Sequence, residues 1–353
     1  IHKNLQKELH EDCQFFGGHT VGIISNDFLD YSGYQFGIAL LEIDPENFNL
    51  FHHGRLNEDG PFEVGRRIGK SIHELDVKKS DDMLLLYDSV DRSEGYFQLN
   101  MAVPLLNGIA EHIQSIPHVA GFGMSGDMKG SPGKQWINDT LDDQQAIGFH
   151  LKDGLKMHST VMHGCKPMGI YHTITESNGA EILGIDGKPA LDAVAEILGH
   201  DVEEHWKKYS FYLTLGVNKG EKFGSFKEEN YVNRLCLKVN KERRSLFVFE
   251  PDLKPGTEFQ LMRRDVSLQY VYDRTAALLN EIDGKPVFAF YIDCAGRASA
   301  YSGMHEEEGL AVVESIEDIP MLGVYTGVEL ATINDEIRAL DWTGVLCIFS
   351  KTE

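Results

Sequence analysis

Residues 288–297 read Phe-Ala-Phe-Tyr-Ile-Asp-Cys-Ala-Gly-Arg, and they join a short apolar run to a cysteine and an arginine three positions apart. The aromatic and β-branched character of residues 287–292 predicts a buried strand. The Ala-Gly pair after the cysteine allows the backbone to turn. We therefore expect Cys294 and Arg297 to face one cavity at the end of this strand.

The pairing of a thiol with a guanidinium allows two kinds of site. A neighbouring arginine lowers the pKa of a thiol, which favours a reactive Cys294. The planar fork of Arg297 can instead bind a carboxylate or a phosphate. A third interpretation needs no site, because a lone cysteine at the end of an apolar strand is commonly a small buried hydrophobe.

Hydrophobic periodicity predicts alternating strands and helices along the rest of the chain. Strands are predicted at residues 15–25, 35–43, 83–88, 146–151, 155–163, 245–250 and 259–264, and helices at residues 62–73, 99–114 and 268–281. The turn Lys152-Asp153-Gly154 predicts a hairpin between two of the strands, and Asp186-Gly187 predicts a second turn. This order predicts an α+β or α/β layered fold, with mixed β-sheets, helices on the outer faces and two halves packed around residues 180–200.

Composition excludes several classes of protein. The chain has 353 residues, a length that favours two domains, and its formal net charge of −22 argues against binding to nucleic acid or to anionic membranes. It contains neither an apolar run long enough to span a bilayer nor the pattern of a secretory signal. The five cysteines are scattered without a Cys-x-x-Cys pair, which indicates neither a disulfide framework nor a zinc site and predicts a reducing, cytoplasmic compartment.

The glycine-rich stretch at residues 121–126, Gly-Phe-Gly-Met-Ser-Gly, matches the spacing of a dinucleotide-binding loop. Such a loop must open a helix, whereas Ser131-Pro132-Gly133 follows here and interrupts one. A dinucleotide site is therefore not expected. The stretch is predicted either to line a ligand cavity, with Gly123 and Ser125 as ligand-binding residues, or to be a structural turn.

Several motifs, taken in order, resemble the tandem N-terminal and C-terminal domains of the FIST family. The motifs are residues 119–127 (Val-Ala-Gly-Phe-Gly-Met-Ser-Gly-Asp), 164–169 (Gly-Cys-Lys-Pro-Met-Gly), 185–191 (Ile-Asp-Gly-Lys-Pro-Ala-Leu), 294–297 (Cys-Ala-Gly-Arg), 305–308 (His-Glu-Glu-Glu), 320–330 (Pro-Met-Leu-Gly-Val-Tyr-Thr-Gly-Val-Glu-Leu) and 341–346 (Asp-Trp-Thr-Gly-Val-Leu). The resemblance implies an N-terminal domain at residues 1–185, in which the usual first strand is missing, and a C-terminal domain at residues 186–353. The chain departs from the family pattern at Val328, where a glycine usually precedes the glutamate.

The resemblance implies an intracellular sensory module that binds a small molecule, such as an amino acid. Its partner would be a signalling protein such as a histidine kinase, a cyclase or a chemotaxis receptor. In this interpretation Arg297 binds a carboxylate or a propionate, Tyr325 and Glu329 orient a polar group, and Cys294 lines the wall.

Haem is a further cofactor that the resemblance implies, because some FIST proteins are similar to the haem-binding nitric-oxide sensors called NosP. A haem iron needs one proximal ligand, usually a histidine, in an apolar pocket. His163 and His172 flank residues 165–169 and are the predicted iron ligands. His118 and His150 are the next candidates.

Two alternatives remain beside the sensor. FIST halves also occur in F-box proteins, so the chain is alternatively an interaction scaffold without a small ligand. A thiol enzyme would use Cys294 as the nucleophile and Arg297 as its activator, with His305 as the nearby base. No motif supports that base, so the chain is not expected to be an enzyme.

Overall fold

The computed structural model describes residues 13–351, apart from residues 96–97, 114, 128, 130, 132, 200, 203, 205 and 210–212. The strands are β1 (Phe16–Gly18), β2 (Gly22–Ser25), β3 (Phe28–Asp30), β4 (Phe48–His53), β5 (Asp82–Asp88), β6 (Val90–Asp91), β7 (Gln98–Leu99), β8 (His118–Met124), β9 (Gln135–Ile137), β10 (Thr140–Asp142), β11 (Ala146–Leu151), β12 (Leu155–Met162), β13 (Cys165–Asn178), β14 (Glu181–Ile185), β15 (Lys188–Pro189), β16 (Leu213–Asn218), β17 (Tyr231–Asn240), β18 (Ser245–Val248), β19 (Glu258–Arg264), β20 (Lys285–Cys294), β21 (Met321–Thr326), β22 (Val328–Ile333), β23 (Glu336–Leu340) and β24 (Gly344–Lys351). The helices are α1 (Leu56–Glu74), α2 (Ala102–Ala110), α3 (Ala190–Leu198), α4 (Trp206–Tyr209), α5 (Gln269–Glu281), α6 (Ser299–Ser302) and α7 (Glu308–Ser315).

Two mixed six-stranded sheets pack face to face. Sheet I has the strand order β23-β22-β8-β5-β11-β4, and sheet II has the order β12-β24-β20-β21-β2-β3. Phe122 and Phe149 of sheet I meet Phe290 and Phe349 of sheet II in one apolar core. Because strands such as β5 are buried on both faces, they are apolar along nearly their whole length.

Helices cover the outer faces of both sheets. Apolar residues of α1 and α2 pack on sheet I, and those of α5 and α7 pack on sheet II. The molecule is therefore layered as helices, sheet, sheet and helices, which confirms the predicted α+β fold with mixed sheets and outer helices. None of the helices in the described part of the chain combines the length and the apolar character needed to cross a bilayer.

Both sheets take strands from both sides of residue 185. In sheet I, β22 and β23 pair beside β8, and in sheet II, β12 pairs with β24 and β2 pairs with β21. The two halves are thus joined by backbone hydrogen bonds as well as by side-chain packing. The domain division at residues 185 and 186 stays a prediction, and the expected missing first strand falls on residues outside the described ones.

A separate sheet is formed by residues 165–264. Its strand order is β13-β19-β16-β17-β18-β14-β15, and a further pairing of β13 with β14 closes it on itself around an apolar core that α3 covers. The predicted turn at Asp186-Gly187 is confirmed, since both residues have positive φ and connect β14 to β15.

Three predictions about local structure are wrong. Strands β11 and β12 flank the turn signal at Asp153-Gly154, but they lie in different sheets, because β4 and β5 already occupy both edges of β11. Residues 35–43 form no strand, because their apolar side chains remain largely exposed and no strand of the described residues pairs with them. Residues 15–25 divide into β1 and β2, which join different sheets.

Candidate functional site

The chain crosses from sheet II to sheet I between β21 and β22. β20 and β21 run parallel and end together, with Cys294 opposite Thr326. The N–H of Gly327 donates a hydrogen bond to the carbonyl of Gly123 at 3.2 Å. This crossing brings the end of β8 close to the ends of β20 and β21, although these strands lie far apart in the sequence.

Arg297 lies three residues after the end of β20 and is buried. Each nitrogen of its guanidinium contacts an oxygen of the protein. Its Nε donates to Oε2 of Glu308 at 2.6 Å, and its Nη1 donates to the carbonyl oxygens of Met162 and Trp342 at 3.1 and 2.6 Å. Its Nη2 donates to the hydroxyl of Tyr270 at 3.1 Å and also contacts Glu308. The role of Arg297 as an anion clamp stays a prediction, and it would require a ligand to displace one of these partners.

Cys294 is buried at the end of β20. Burial raises the pKa of its thiol, and the nearby Glu329 raises it further. His305, the predicted base of a thiol enzyme, is exposed. A buried thiol with a raised pKa is a poor nucleophile, so this geometry favours the interpretation of Cys294 as a packed side chain.

Tyr325 and Glu329 border the same crossing. The hydroxyl of Tyr325 donates to Oε2 of Glu307 at 2.9 Å, and Glu329 accepts from the hydroxyl of Thr326 at 3.2 Å. Burial raises the pKa of Glu329 well above its usual range. The predicted orienting roles of Tyr325 and Glu329 stay predictions, since both side chains bind groups of the protein itself.

Gly123 and Ser125 lie across the crossing, at the end of β8. A Cβ on Gly123 would lie 2.7 Å from Cβ of Ser89, so close packing explains this glycine. The hydroxyl of Ser125 is buried and has no hydrogen-bond partner among the residues that the structure describes. Val328 is the first residue of β22 and pairs with Gly123, so its extended backbone needs no glycine.

Arg264, which no sequence motif marks, has the least satisfied guanidinium in this region. It is the last residue of β19, is 4% exposed, and places its guanidinium 4.9 Å from the ring centre of Trp342. Its Nη2 lies 3.7 Å from Oε2 of Glu308, but neither Nε nor Nη1 has a hydrogen-bond partner within the described residues. Unpaired buried donors are costly, so they indicate a place where water or a ligand binds.

Unpaired acceptors accompany these donors. Oε1 of Glu308 and Oδ1 of Asp293 accept no hydrogen bond from any residue in the described part of the chain, although this Oδ1 forms an ion pair with Nε of Arg297 at 3.2 Å. Burial raises the pKa of Asp293 to about 6, against the effect of Arg297. We refer to Arg264, Asp293, Arg297, Glu308 and Trp342 together as the Arg264 cluster.

The ring of Trp342 explains the glycine in the motif at residues 294–297. A Cβ on Gly296 would lie 3.1 Å from the ring of Trp342, so the glycine in Cys-Ala-Gly-Arg leaves room for that ring. The ring in turn supports the guanidinium of Arg264. Sequence spacing gives no signal for Arg264, because it approaches Trp342 only through the folded sheets.

The two histidines predicted as haem ligands differ in what their rings bind. Nδ1 of His163 accepts the N–H of Cys165 at 2.9 Å, and its Nε2 lies 3.0 Å from the carbonyl of Glu228. Both ring nitrogens are therefore occupied, and His163 does not fit an iron ligand. His172 binds Asp186 through Nδ1 at 2.7 Å, an arrangement that metal-ligating histidines also use.

Two of the cavities on the described surface have volumes of about 270 and 310 Å³. Neither is lined by His163, His172 or the Arg264 cluster. Within the described residues there is also no group of three histidine, cysteine, aspartate or glutamate side chains that could hold a metal ion.

Comparison with known proteins covers nearly the whole chain. Residues 1–188 match the FIST N domain, and residues 190–332 match the FIST C domain. The uncharacterized proteins Rv0628c of Mycobacterium tuberculosis (strain ATCC 25618 / H37Rv) and Mb0898c of Mycobacterium bovis (strain ATCC BAA-935 / AF2122/97) are each 23% identical over 208 residues. That alignment covers 58% of this chain and 53% of each relative, so the chain spans about half the length of these relatives.

Proposed function

The chain belongs to the FIST family, whose domains are small-ligand sensory domains of signal transduction, and on this premise we propose that it binds a small polar molecule at the Arg264 cluster. The observation that carries the proposal is the pair of unpartnered nitrogens on the buried Arg264, counted over the described residues. A charged group in a dry interior needs hydrogen bonds, and a ligand would supply them.

The cluster favours a ligand with both an acceptor and a donor. A carboxylate would accept hydrogen bonds from Arg264. An amino group would donate to Oε1 of Glu308 and Oδ1 of Asp293, which accept no hydrogen bond within the described residues. Amino acids and related zwitterions combine these groups, which agrees with the small ligands that the family resemblance implies.

Binding at this place has a direct route to the rest of the molecule. Arg297 connects α7, through Glu308, to the end of β12, through the carbonyl of Met162. A ligand that changes the pairing of Glu308 would therefore bias the position of α7 relative to sheet II. We propose that a signalling partner, such as a histidine kinase, a cyclase or a chemotaxis receptor, reads this change.

A cytoplasmic location is part of the same proposal. All five cysteines are free, and four of them are buried in the fold. Free thiols persist in a reducing compartment.

The test is a binding titration by calorimetry with each of the standard amino acids and with small dicarboxylates. We expect at least one compound to bind the unmodified protein and Arg263→Gln, but not Arg264→Gln. Arg263 is the matched control, since it is the neighbouring arginine and is exposed. Equal binding to Arg264→Gln would show that the ligand binds outside the Arg264 cluster. The absence of binding by any compound would contradict the proposed ligand class.

The fold of Arg264→Gln needs its own check. Far-ultraviolet circular dichroism should match that of the unmodified protein. Should this variant unfold, Arg264→Lys keeps the charge but not the planar group, and it should weaken binding while preserving the fold.

An absorption spectrum after reconstitution with haem tests the alternative cofactor. The contact between Nδ1 of His172 and Asp186 is the observation that favours haem ligation by His172. A Soret band that disappears in His172→Ala would support haem ligation there. Binding of haem without dependence on His172 would exclude this residue as the ligand.

A further inference from the structure

We propose that Ser159, His118 and Asp82 form a hydrolytic triad that cleaves small carboxylic esters, at a site separate from the Arg264 cluster. Oγ of Ser159 lies 2.7 Å from Nε2 of His118. Nδ1 of the same ring lies 3.0 Å from Oδ1 of Asp82. This is the order of contacts that a serine nucleophile, its base and the orienting carboxylate require.

The three residues come from different elements that the face-to-face sheets bring together. Asp82 and His118 are the first residues of the parallel strands β5 and β8 and lie opposite one another in sheet I. Ser159 lies on β12, the edge strand of sheet II. The triad therefore depends on the packing of the two sheets, and no local motif marks it.

Asp82 is held in place by further contacts. It is 2% exposed, and its Oδ2 accepts the N–H of Met157 at 2.9 Å. Nζ of Lys156 lies 3.2 Å from Oδ1. A fixed carboxylate of this kind holds the imidazole in the tautomer that has its proton on Nδ1, which leaves Nε2 free to accept the serine proton.

Ser159 also lines the cavity of about 270 Å³. The same cavity is lined by Thr160, Glu229, Arg274, Glu281 and Asn334. This volume is close to the lower limit for small-molecule pockets, which restricts a substrate to a small ester. The polar lining favours a substrate with hydrogen-bonding groups beside the ester.

Arg274 provides a positive group in this cavity. Its Nη2 donates to Oγ1 of Thr160 at 2.6 Å, and its Nη1 donates to Glu229 at 2.9 Å. Its buried Nε has no hydrogen-bond partner in the described part of the chain. An oxygen of the substrate would give this nitrogen the partner that it lacks.

The edge of β12 supplies a second donor. Successive N–H groups of a strand point to opposite edges, and the N–H of Met157 points away from β24 toward Asp82. The N–H of Ser159, two residues further, has the same direction. It can therefore stabilise the negative charge that forms on the ester oxygen during attack.

The reaction then follows in two balanced halves. Oγ of Ser159 forms a bond to the ester carbon while its proton passes to Nε2 of His118. The bond from that carbon to the leaving oxygen breaks, and His118 returns the proton to the departing alcohol. Water repeats these steps on the acyl-serine, releasing a carboxylic acid and restoring Ser159, while Asp82 stabilises the imidazolium each time.

The residue before Ser159, His158, forms a similar histidine–serine contact that serves as a matched control. Nε2 of His158 lies 3.0 Å from Oγ of Ser350. No carboxylate lies within ion-pair distance of His158 among the described residues, so this pair lacks the third member of a triad. Ser350 should accordingly be unreactive.

The test combines a fluorophosphonate probe with hydrolysis of p-nitrophenyl acetate. We expect the probe to label Ser159, as located by peptide mass spectrometry, and Ser159→Ala to lose the label and about 100-fold or more of the hydrolysis rate. Asp82→Asn should reduce the rate comparably, and Ser350→Ala should retain both signals. A purely structural role of the three residues would change stability but would produce no label.

Two results would contradict the proposal. Full labelling and hydrolysis in Ser159→Ala, or no labelling of the unmodified protein, would overturn the triad. Ser159→Cys keeps a nucleophile at the same place and should react with iodoacetamide faster than the buried cysteines. None of these results depends on Arg264, so they test the triad independently of the proposed sensory ligand.

Discussion

Two buried arginines of the same cluster differ in their hydrogen bonding. Every nitrogen of Arg297 contacts an oxygen of the protein, whereas Nε and Nη1 of Arg264 contact none within the described residues. The arginine in the recognisable motif therefore acts first as a structural connection. The arginine without a sequence signal has the free donors that a ligand needs.

The five thiols should differ strongly in their rate of alkylation. Cys13 is exposed, whereas Cys165, Cys236, Cys294 and Cys347 are buried, and burial raises the pKa of each of these four thiols. A limiting dose of iodoacetamide should therefore label Cys13 first, as read by peptide mapping. The buried four should react only after denaturation, and rapid labelling of Cys294 in the native protein would show that its strand end opens.

At the scale of elements, β8 and β5 approach one another closely where a glycine allows it. A Cβ on Gly121 would lie only 1.9 Å from the carbonyl oxygen of Leu85. Gly121→Ala should therefore destabilise the protein by about 3 kcal/mol, because backbone atoms in the middle of sheet I must move. Urea denaturation measures the loss.

Gly133→Ala is the matched control for this substitution. A Cβ there would meet its nearest neighbour at 3.7 Å, which is ordinary contact. Its stability should remain within about 1 kcal/mol of the unmodified protein. Equal stability of the two variants would contradict the close approach of β5 and β8.

At the scale of the whole molecule, the two halves share both sheets. Residues 186–353 alone would leave β24 without β12, and β22 without β8. Expressed alone, this half should show no cooperative unfolding transition, because its exposed apolar faces lose their partners. Co-expression with residues 1–185 should restore the transition, and independent folding of either half would instead support autonomous domains.

Stability should decrease as pH rises through the neutral range. Burial raises the pKa of Asp88, Asp293 and Asp341 to about 6 and that of Glu250 to about 7. The folded state therefore retains protons that the unfolded state releases. The contribution of these groups to the free energy of unfolding is fully present below the unfolded pKa values and is lost as pH rises through about 6 to 7.

Urea midpoints at about pH 5 and about pH 7.5 measure this loss. Glu250→Gln should reduce the difference between the two conditions by up to about 3 kcal/mol, because the amide does not titrate and can still accept one N–H at the start of α2. Higher stability at the upper pH would contradict the raised pKa values.

Elements with local signals could be predicted from the amino-acid sequence alone. The apolar run before Cys294, the turn at Asp186-Gly187 and the helical periodicity after Ser267 all appear in the structure within a few residues of their predicted bounds. Local backbone preferences and the alternation of buried side chains act over a few residues, so one stretch is sufficient to reveal them. The FIST motifs are likewise defined by their order along the chain.

The pairing of strands and the contacts between distant side chains depend on the folded molecule. The turn signal at Asp153-Gly154 lies between β11 and β12, but it cannot reveal that both edges of β11 are already occupied. Arg264 meets Trp342, and Ser159 meets His118, across sheets that are formed from both halves. Hydrogen bonding and burial at these places depend on residues distant in sequence, and no local pattern of the chain contains that information.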